Sequence, residues 1–213
     1  MANDDTSAAR GGLLPLEQPY GTVRKSYYRL TTSAVAVYIG QPMDLDGQGQ
    51  VVPALSSTLG TAIMIGPCLG FSSDSRGKMG LPNAMSLITQ AAYLPAATDA
   101  YVLIADDPNQ IFTIQEATSG TALSSANVGN SINFGYLRTG LTSGSTVTGY
   151  SQAELRRDGV SATGGSGALM LIGLADNMNS DGTYNSVGDY AKWRVRIQNH
   201  RLQNAVAGTT TAQ

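Results

Sequence analysis

Residues 101–116 read Tyr101-Val-Leu-Ile-Ala105-Asp-Asp-Pro108-Asn-Gln-Ile111-Phe-Thr-Ile-Gln-Glu116, and they decide the fold class. Tyr101 to Ala105 has no polar alternation, so a strand here buries both faces and needs a layer on each side. Asp106-Asp107-Pro108-Asn109 follows as a turn. Pro108 presets φ, and the Asp and Asn side chains can bond nearby backbone. Ile111 to Gln115 is rich in β-branched and aromatic residues and reads as a second strand. The two are expected to form a hairpin inside a β-sandwich or barrel. Asp106 and Asp107 are adjacent on a turn, point apart, and are turn chemistry rather than a catalytic carboxylate pair.

The same punctuation extends outward. Tyr27–Leu30, Ala34–Ile39, Val51-Val52 and Ala62–Ile65 are strand candidates, the last closed by Gly66-Pro67. Turns are expected at Gly40-Gln41-Pro42 and over 44–49, and a loop over 72–83. Residues 86–93 fit a strand or a short helix. In the second half, Ile132–Leu137 and Ala168–Leu174 read as strands. Ala191–Ile197 alternates Trp193, Val195 and Ile197 against Lys192, Arg194 and Arg196, the strand period of two. Ser151 and Glu154 fit a capping box, which predicts a helix of about two turns ending near Gly159. The expected class is all-β, sandwich- or barrel-like, with at most one or two short helices. The organisation is an extended N-terminal arm over 1–26, a first β unit over 27–116, a linker over 117–130, a second β unit over 131–203 and a flexible tail over 204–213. One continuous β domain over 27–203 is the alternative.

Composition bounds the function. Of 213 residues, 42 % are hydrophobic and only 13 % charged, so the polar surface comes mainly from Ser, Thr, Asn, Gln and Gly. That is about half the usual charged share, and it suits dry contacts between subunits. Net charge is −2, from 13 basic and 15 acidic side chains. Arg24-Lys25, Arg156-Arg157 and the set Lys192, Arg194, Arg196 and Arg201 are the nearest approaches to the clustered cations that phosphate binding needs. The alternating set reads as the solvated or subunit-facing side of a strand, and no direct nucleic-acid partner is expected. The N-terminus has no basic segment before an apolar core, and no run reaches ~18 apolar residues, so neither signal peptide nor membrane span is expected.

Candidate chemistry is sparse. His200 is the single histidine and Cys68 the single cysteine; Cys68 stands in apolar company and is expected to be a buried, inert thiol. A Ser-His-Asp site would have to use His200, and no Gly-x-Ser-x-Gly elbow exists; next to the end of the last strand, His200 is expected to meet solvent. The usual His/Cys zinc sets are excluded. Asn177, Asn179, Asp181 and Gly182 match the first half of a calcium loop, but Gly188 stands where the closing Glu belongs. An Asx-rich turn is the expectation there, with no metal. The glycines of 164–167 precede a strand, lack a following Lys, and form no phosphate loop. No catalytic residue, cofactor or enzyme activity is expected. Leu13, Leu14, Leu16, Tyr20 and Arg24 of the arm are the candidate interface residues, ordering on a neighbouring chain.

Several patterns resemble the head decoration, or cement, proteins of tailed bacteriophages. They are Tyr38-Ile39-Gly40-Gln41-Pro42-Met43, Asp46-Gly47, Val52-Pro53-Ala54 and residues 64–70, followed by 101–108 with Phe112 and Gln115. The later half adds 169–174, the turn of 176–179 and 191–197. The resemblance covers about residues 27–203. It implies a β-rich structural protein, made in the host cytoplasm and carried on the outer surface of an icosahedral head. Its partner would be the major capsid protein, and homo-oligomers, trimers above all, are implied. A virion or cell-surface β-sandwich that binds carbohydrate or a receptor is the alternative, with Tyr residues as its stacking platforms.

Overall fold

The structure, a computed structural model, describes residues 11–17, 21–30, 35–54, 63–72, 93–135, 143–160, 167–177, 179 and 182–203. The expectations for 86–92 and for the tail over 204–213 lie outside these residues.

The chain is all-β. In chain order its strands are β1 (Leu14–Glu17), β2 (Lys25–Leu30), β3 (Val37–Tyr38), β4 (Pro42–Leu45), β5 (Val51–Pro53), β6 (Gly66–Ser72) and β7 (Tyr93–Leu94). There follow β8 (Ala100–Ala105), β9 (Ile111–Gln115), β10 (Ser131–Ile132), β11 (Phe134–Gly135), β12 (Glu154–Leu155), β13 (Leu169–Leu174) and β14 (Lys192–Ile197). Two five-stranded antiparallel sheets carry the fold, in the orders β1-β9-β14-β13-β10 and β2-β8-β6-β4-β5. β11 pairs with β12 and β3 with β7. β2 and β5, at opposite ends of the second order, also lie against each other, so that sheet curls toward closure.

Both expected strands of 101–116 form, but they are not a hairpin. β8 is held between β2 and β6, and β9 between β1 and β14, so residues 106–110 carry the chain from one sheet to the other. Period-two patterning sets which residues are buried; it does not set which neighbour a strand takes. The two-faced burial of β8 is present: Val102, Leu103, Ile104 and Ala105 are all buried. Val102 and Ile104 belong to the core formed with Leu30, Met43, Ile65 and Cys68. Ala105 belongs to the second core, built on Phe112, Ile114, Leu169, Leu171, Trp193 and Val195.

Three other expectations are corrected. The predicted helix of 151–159 is β12 followed by a single 3-10 turn, Arg157–Gly159. Ser151 Oγ does accept a backbone N–H, but from Ala153 at 3.2 Å, and it donates to the Ser143 carbonyl. Glu154 is buried in a strand rather than returning to cap a helix. Gly66-Pro67 opens a strand rather than closing one. Gly66 has φ 149°, and a Cβ there would overlap the Ala105 carbonyl oxygen, so only glycine lets β6 approach β8. Pro67 sits opposite Pro42 at the start of the β4–β6 pairing, where proline is tolerated. The run expected over 132–137 breaks at Asn133, whose carbonyl accepts from Arg156 N and whose Oδ1 accepts from Ala168 N.

Residues 117–130 bury Ala117 and Leu123 in the second core and contain a short 3-10 turn, Ser125–Asn127. The first sheet draws β1 from the arm, β9 from the first stretch and β10, β13 and β14 from the second.

The arm is seated by a glycine contact. Gly40 has φ 78°, and its carbonyl accepts from Leu13 N at 2.9 Å. A Cβ on Gly40 would overlap the Gly11 carbonyl oxygen. Gly40→Ala combines a left-handed φ with a backbone overlap and should cost about 2 kcal/mol or more in urea unfolding. Gly47→Ala meets open space and should stay within about 0.5 kcal/mol of wild type. Equal effects of the two would contradict this account of the arm.

Candidate functional site

Glu116 follows β9 and is completely buried. Its Oε1 accepts from Arg157 Nε at 2.6 Å and from Leu123 N at 3.2 Å, and its Oε2 accepts from Trp193 Nε1 at 2.5 Å. The Arg157 guanidinium also donates to the carbonyls of Thr118 and Gly120 and lies 2.8 Å from Asp189 Oδ1. Burial pushes the Glu116 carboxyl above its ordinary value, against the Trp193 hydrogen bond and the Arg157 charge that lower it. Every contact is internal, so the group is a structural anchor rather than an acid facing substrate.

Asp106 and Asp107 divide their roles. Asp107 Oδ1 accepts from Asn109 N at 2.8 Å, the Asx bond expected of the turn. Asp106 is fully buried; its Oδ2 accepts from the Tyr28 hydroxyl at 2.8 Å, and its Oδ1 lies 3.3 Å from Arg24 Nε. Burial, then the Asp106 hydrogen bond and charge, push the Tyr28 phenol up to about 12.

His200 does not stand in solvent at a strand end, as its position suggested. It is 3 % exposed, and its Nδ1 accepts from Leu202 N at 3.1 Å. Burial holds the imidazole below its ordinary value, opposed by the Ile65 backbone and by the charges of Asp106 and Asp107, while Arg24 lowers it further. Cys68 is buried as expected, and burial pushes its thiol up to about 12, so it is no nucleophile.

The Asx loop is also committed inward. Asn179 Nδ2 donates to Thr183 Oγ1 at 3.0 Å and to the Tyr184 carbonyl, and Asn185 Nδ2 donates to the carbonyls of Ala175 and Lys192. Asp181 and the glycines of 164–166 lie outside the described residues. Among the described residues no group of three His, Cys, Asp or Glu side chains could hold a metal, and no helix is long and apolar enough to cross a membrane.

The structure disperses the candidate interface residues. Leu13 is buried in the chain's own core, Leu14 is half-buried on β1, and Leu16 is exposed beside it. Arg24 is exposed and reaches back to Asp106. Tyr20 lies outside the described residues. β1 pairs with β9 of the same chain, which the arm's lack of periodicity concealed. The exposed large apolar side chains among the described residues lie elsewhere as well, notably Val147 at 89 %, Tyr184 at 77 % and Val187 at 50 % exposure. Sequence reading gave no special weight to them, because a single apolar residue in a polar loop carries no periodic signal.

No protein-family model matches this chain, and no curated protein matches it.

Arg157→Met should cost about 3–5 kcal/mol in urea unfolding, because it strands a buried carboxylate. Adding Glu116→Gln to that variant should recover part of the loss. The depressed His200 value makes the unfolded chain the better proton binder at mildly acid pH. Its contribution is whole above about pH 6.5 and falls as pH drops toward the folded-state value. The urea midpoint should therefore fall further between pH 7 and 5 in wild type than in His200→Gln; parallel curves would contradict the burial account.

Proposed function

We propose that this chain is a structural virion protein that decorates the outer surface of an icosahedral phage head and cements contacts of the major capsid protein. It has no enzymatic role and binds as a homo-oligomer, with a trimer favoured. The observation that carries the reading is where the side chains are spent. Among the described residues, Glu116, Asp106, Arg157, Trp193 and His200 are buried with polar partners inside the fold. The groups left at the surface include large apolar ones on loops. A protein built this way acts by contact area. At ~25 cal/mol per Å² of apolar surface, modest contacts add up when repeated over a shell. The resemblance of 27–203 to decoration proteins gives the contact its partner.

A carbohydrate-binding module is the second reading, favoured by the exposure of Tyr184 and Tyr150. Addition of the purified chain to washed heads that lack it separates the two. Co-sedimentation with the heads, together with a higher temperature of DNA release, is expected. Failure to sediment, with retention on immobilised glycans, would replace the cement reading with the lectin one.

A further inference from the structure

The buried imidazole of His200 closes the turn that follows the last strand. Its Nδ1 accepts from Leu202 N at 3.1 Å. A backbone N–H only donates, so Nδ1 carries a lone pair and the ring is neutral, with its proton on Nε2. The bond reaches two residues along the chain, as an Asn or Asp side chain does when it closes a turn on its own backbone. Gln203 N adds a second closure, to the His200 carbonyl at 3.1 Å.

This turn fastens the end of one sheet to the other. On either side of His200, Met64 N donates to the Asn199 carbonyl and Arg201 N to the Met64 carbonyl, a parallel bridge just ahead of β6. Arg201 also binds both carboxylate oxygens of Asp44 and the Leu45 carbonyl, all on β4. Leu202 and Gln203 are exposed, so polar bonds rather than apolar burial keep the turn shut.

Charged groups reach the ring from several elements. Asp106 and Asp107, on the crossing from β8 to β9, favour a proton on it, as does the Ile65 backbone, while Arg24 ahead of β2 opposes one. On its own turn, the Arg201 cation is paired with Asp44 of β4. Asp106 is already committed to Tyr28 and Arg24, and burial outweighs both carboxylates, so the closed ring resists protonation. A proton on Nδ1 sets one N–H against the N–H of Leu202. The closing bond is then lost, and a cation is left out of reach of water. Opening the turn relieves both.

We propose that His200 is a pH-sensitive latch: a proton on Nδ1 opens the turn of residues 200–203 and frees the end of β14 from Met64 and β4, while the two cores stay packed. In the opened turn the ring takes its proton at about pH 6.5, and in the closed turn only at a lower pH. The latch is therefore whole above about pH 6.5, and each unit below favours opening by up to about tenfold until the closed-state value is reached. The device lies within one chain and is independent of the partner proposed above.

Backbone amide hydrogen exchange of the full chain at pH 7 and pH 5.5 tests it, each rate being divided by that of an unstructured chain at the same pH. The amides of Met64, Arg201, Leu202 and Gln203 should lose protection about threefold or more at the lower pH, while those of β14, an interior strand, keep theirs. His200→Asn retains an acceptor for Leu202 N but does not titrate, so its protection should not change with pH. Unchanged protection in wild type, an equal loss in His200→Asn, or a loss shared by the β14 amides overturns the latch. Should the variant fail to fold, the wild-type ring decides, because a single histidine gives unambiguous 15N resonances. Nδ1 should titrate over the pH range in which Leu202 loses protection. A ring that takes its proton while the Leu202 amide stays protected overturns the proposal.

Discussion

The carboxylate of Glu116 is the constraint on which the second core depends. A buried carboxylate is tolerated only when its lone pairs are met by donors, since its desolvation is not otherwise offset. Here the donors arrive from three separate stretches: Leu123 from residues 117–130, Arg157 from the 3-10 turn after β12, and Trp193 from β14. The Glu116 backbone adds a bridge to Leu155 and a bond to the Ala191 carbonyl. All of these segments have to be in place together. The arrangement also fixes register. Trp193 stands opposite Ile114 in the β9–β14 ladder, and a slip of one residue would turn its indole to the other face of the sheet. An apolar residue at 116 could fill the same volume, but it would not discriminate between those registers.

A second set of polar contacts joins the two sheets. Residues 106–110 carry the chain across, and Asp106, where the crossing leaves β8, is tied to Tyr28 on the neighbouring strand β2 and to Arg24 just before it. The end of the chain's last strand closes the other side. Met64 N donates to the Asn199 carbonyl and Arg201 N to the Met64 carbonyl. The Arg201 guanidinium grips Asp44 with two hydrogen bonds of 2.9 and 2.6 Å. Bidentate geometry of this kind is the stronger form of ion pair. His200 is buried between these contacts, which explains why a lone histidine in this chain is a packing residue.

The strands were legible where one or both faces are apolar over five or six residues, as in β8, β13 and β14. Their partners were not. The apolar run of 101–105 states that both faces are covered, and Val102, Ile104 and Ala105 bear this out by reaching two cores; nothing in the run says that β9 lies in the other sheet. Local motifs misled where tertiary contacts used the same groups. Ser151 and Glu154 have the right spacing for a helix cap, yet Ser151 bonds Ser143 and Ala153, and Glu154 lies in a strand. Glu116 was visible only as a polar residue ending an apolar stretch, and its three partners lie 7, 41 and 77 positions away. The one signal that pointed to it was Trp193, a buried indole whose N–H needs an acceptor.

The same economy bears on how the protein meets others. With few charged side chains, and several of those held inside the fold, the surface has little long-range field to steer association. Affinity then has to come from shape and apolar contact at short range, which favours surfaces whose backbone is already set. Asn185 provides such a setting by bonding the ends of β13 and β14, so the loop that carries the exposed Tyr184 is tied to the sheet at its base. The side-chain amide of Asn185 thus does for a surface loop what the carboxylate of Glu116 does for the second core: one polar group with several partners fixes segments that are distant in the chain.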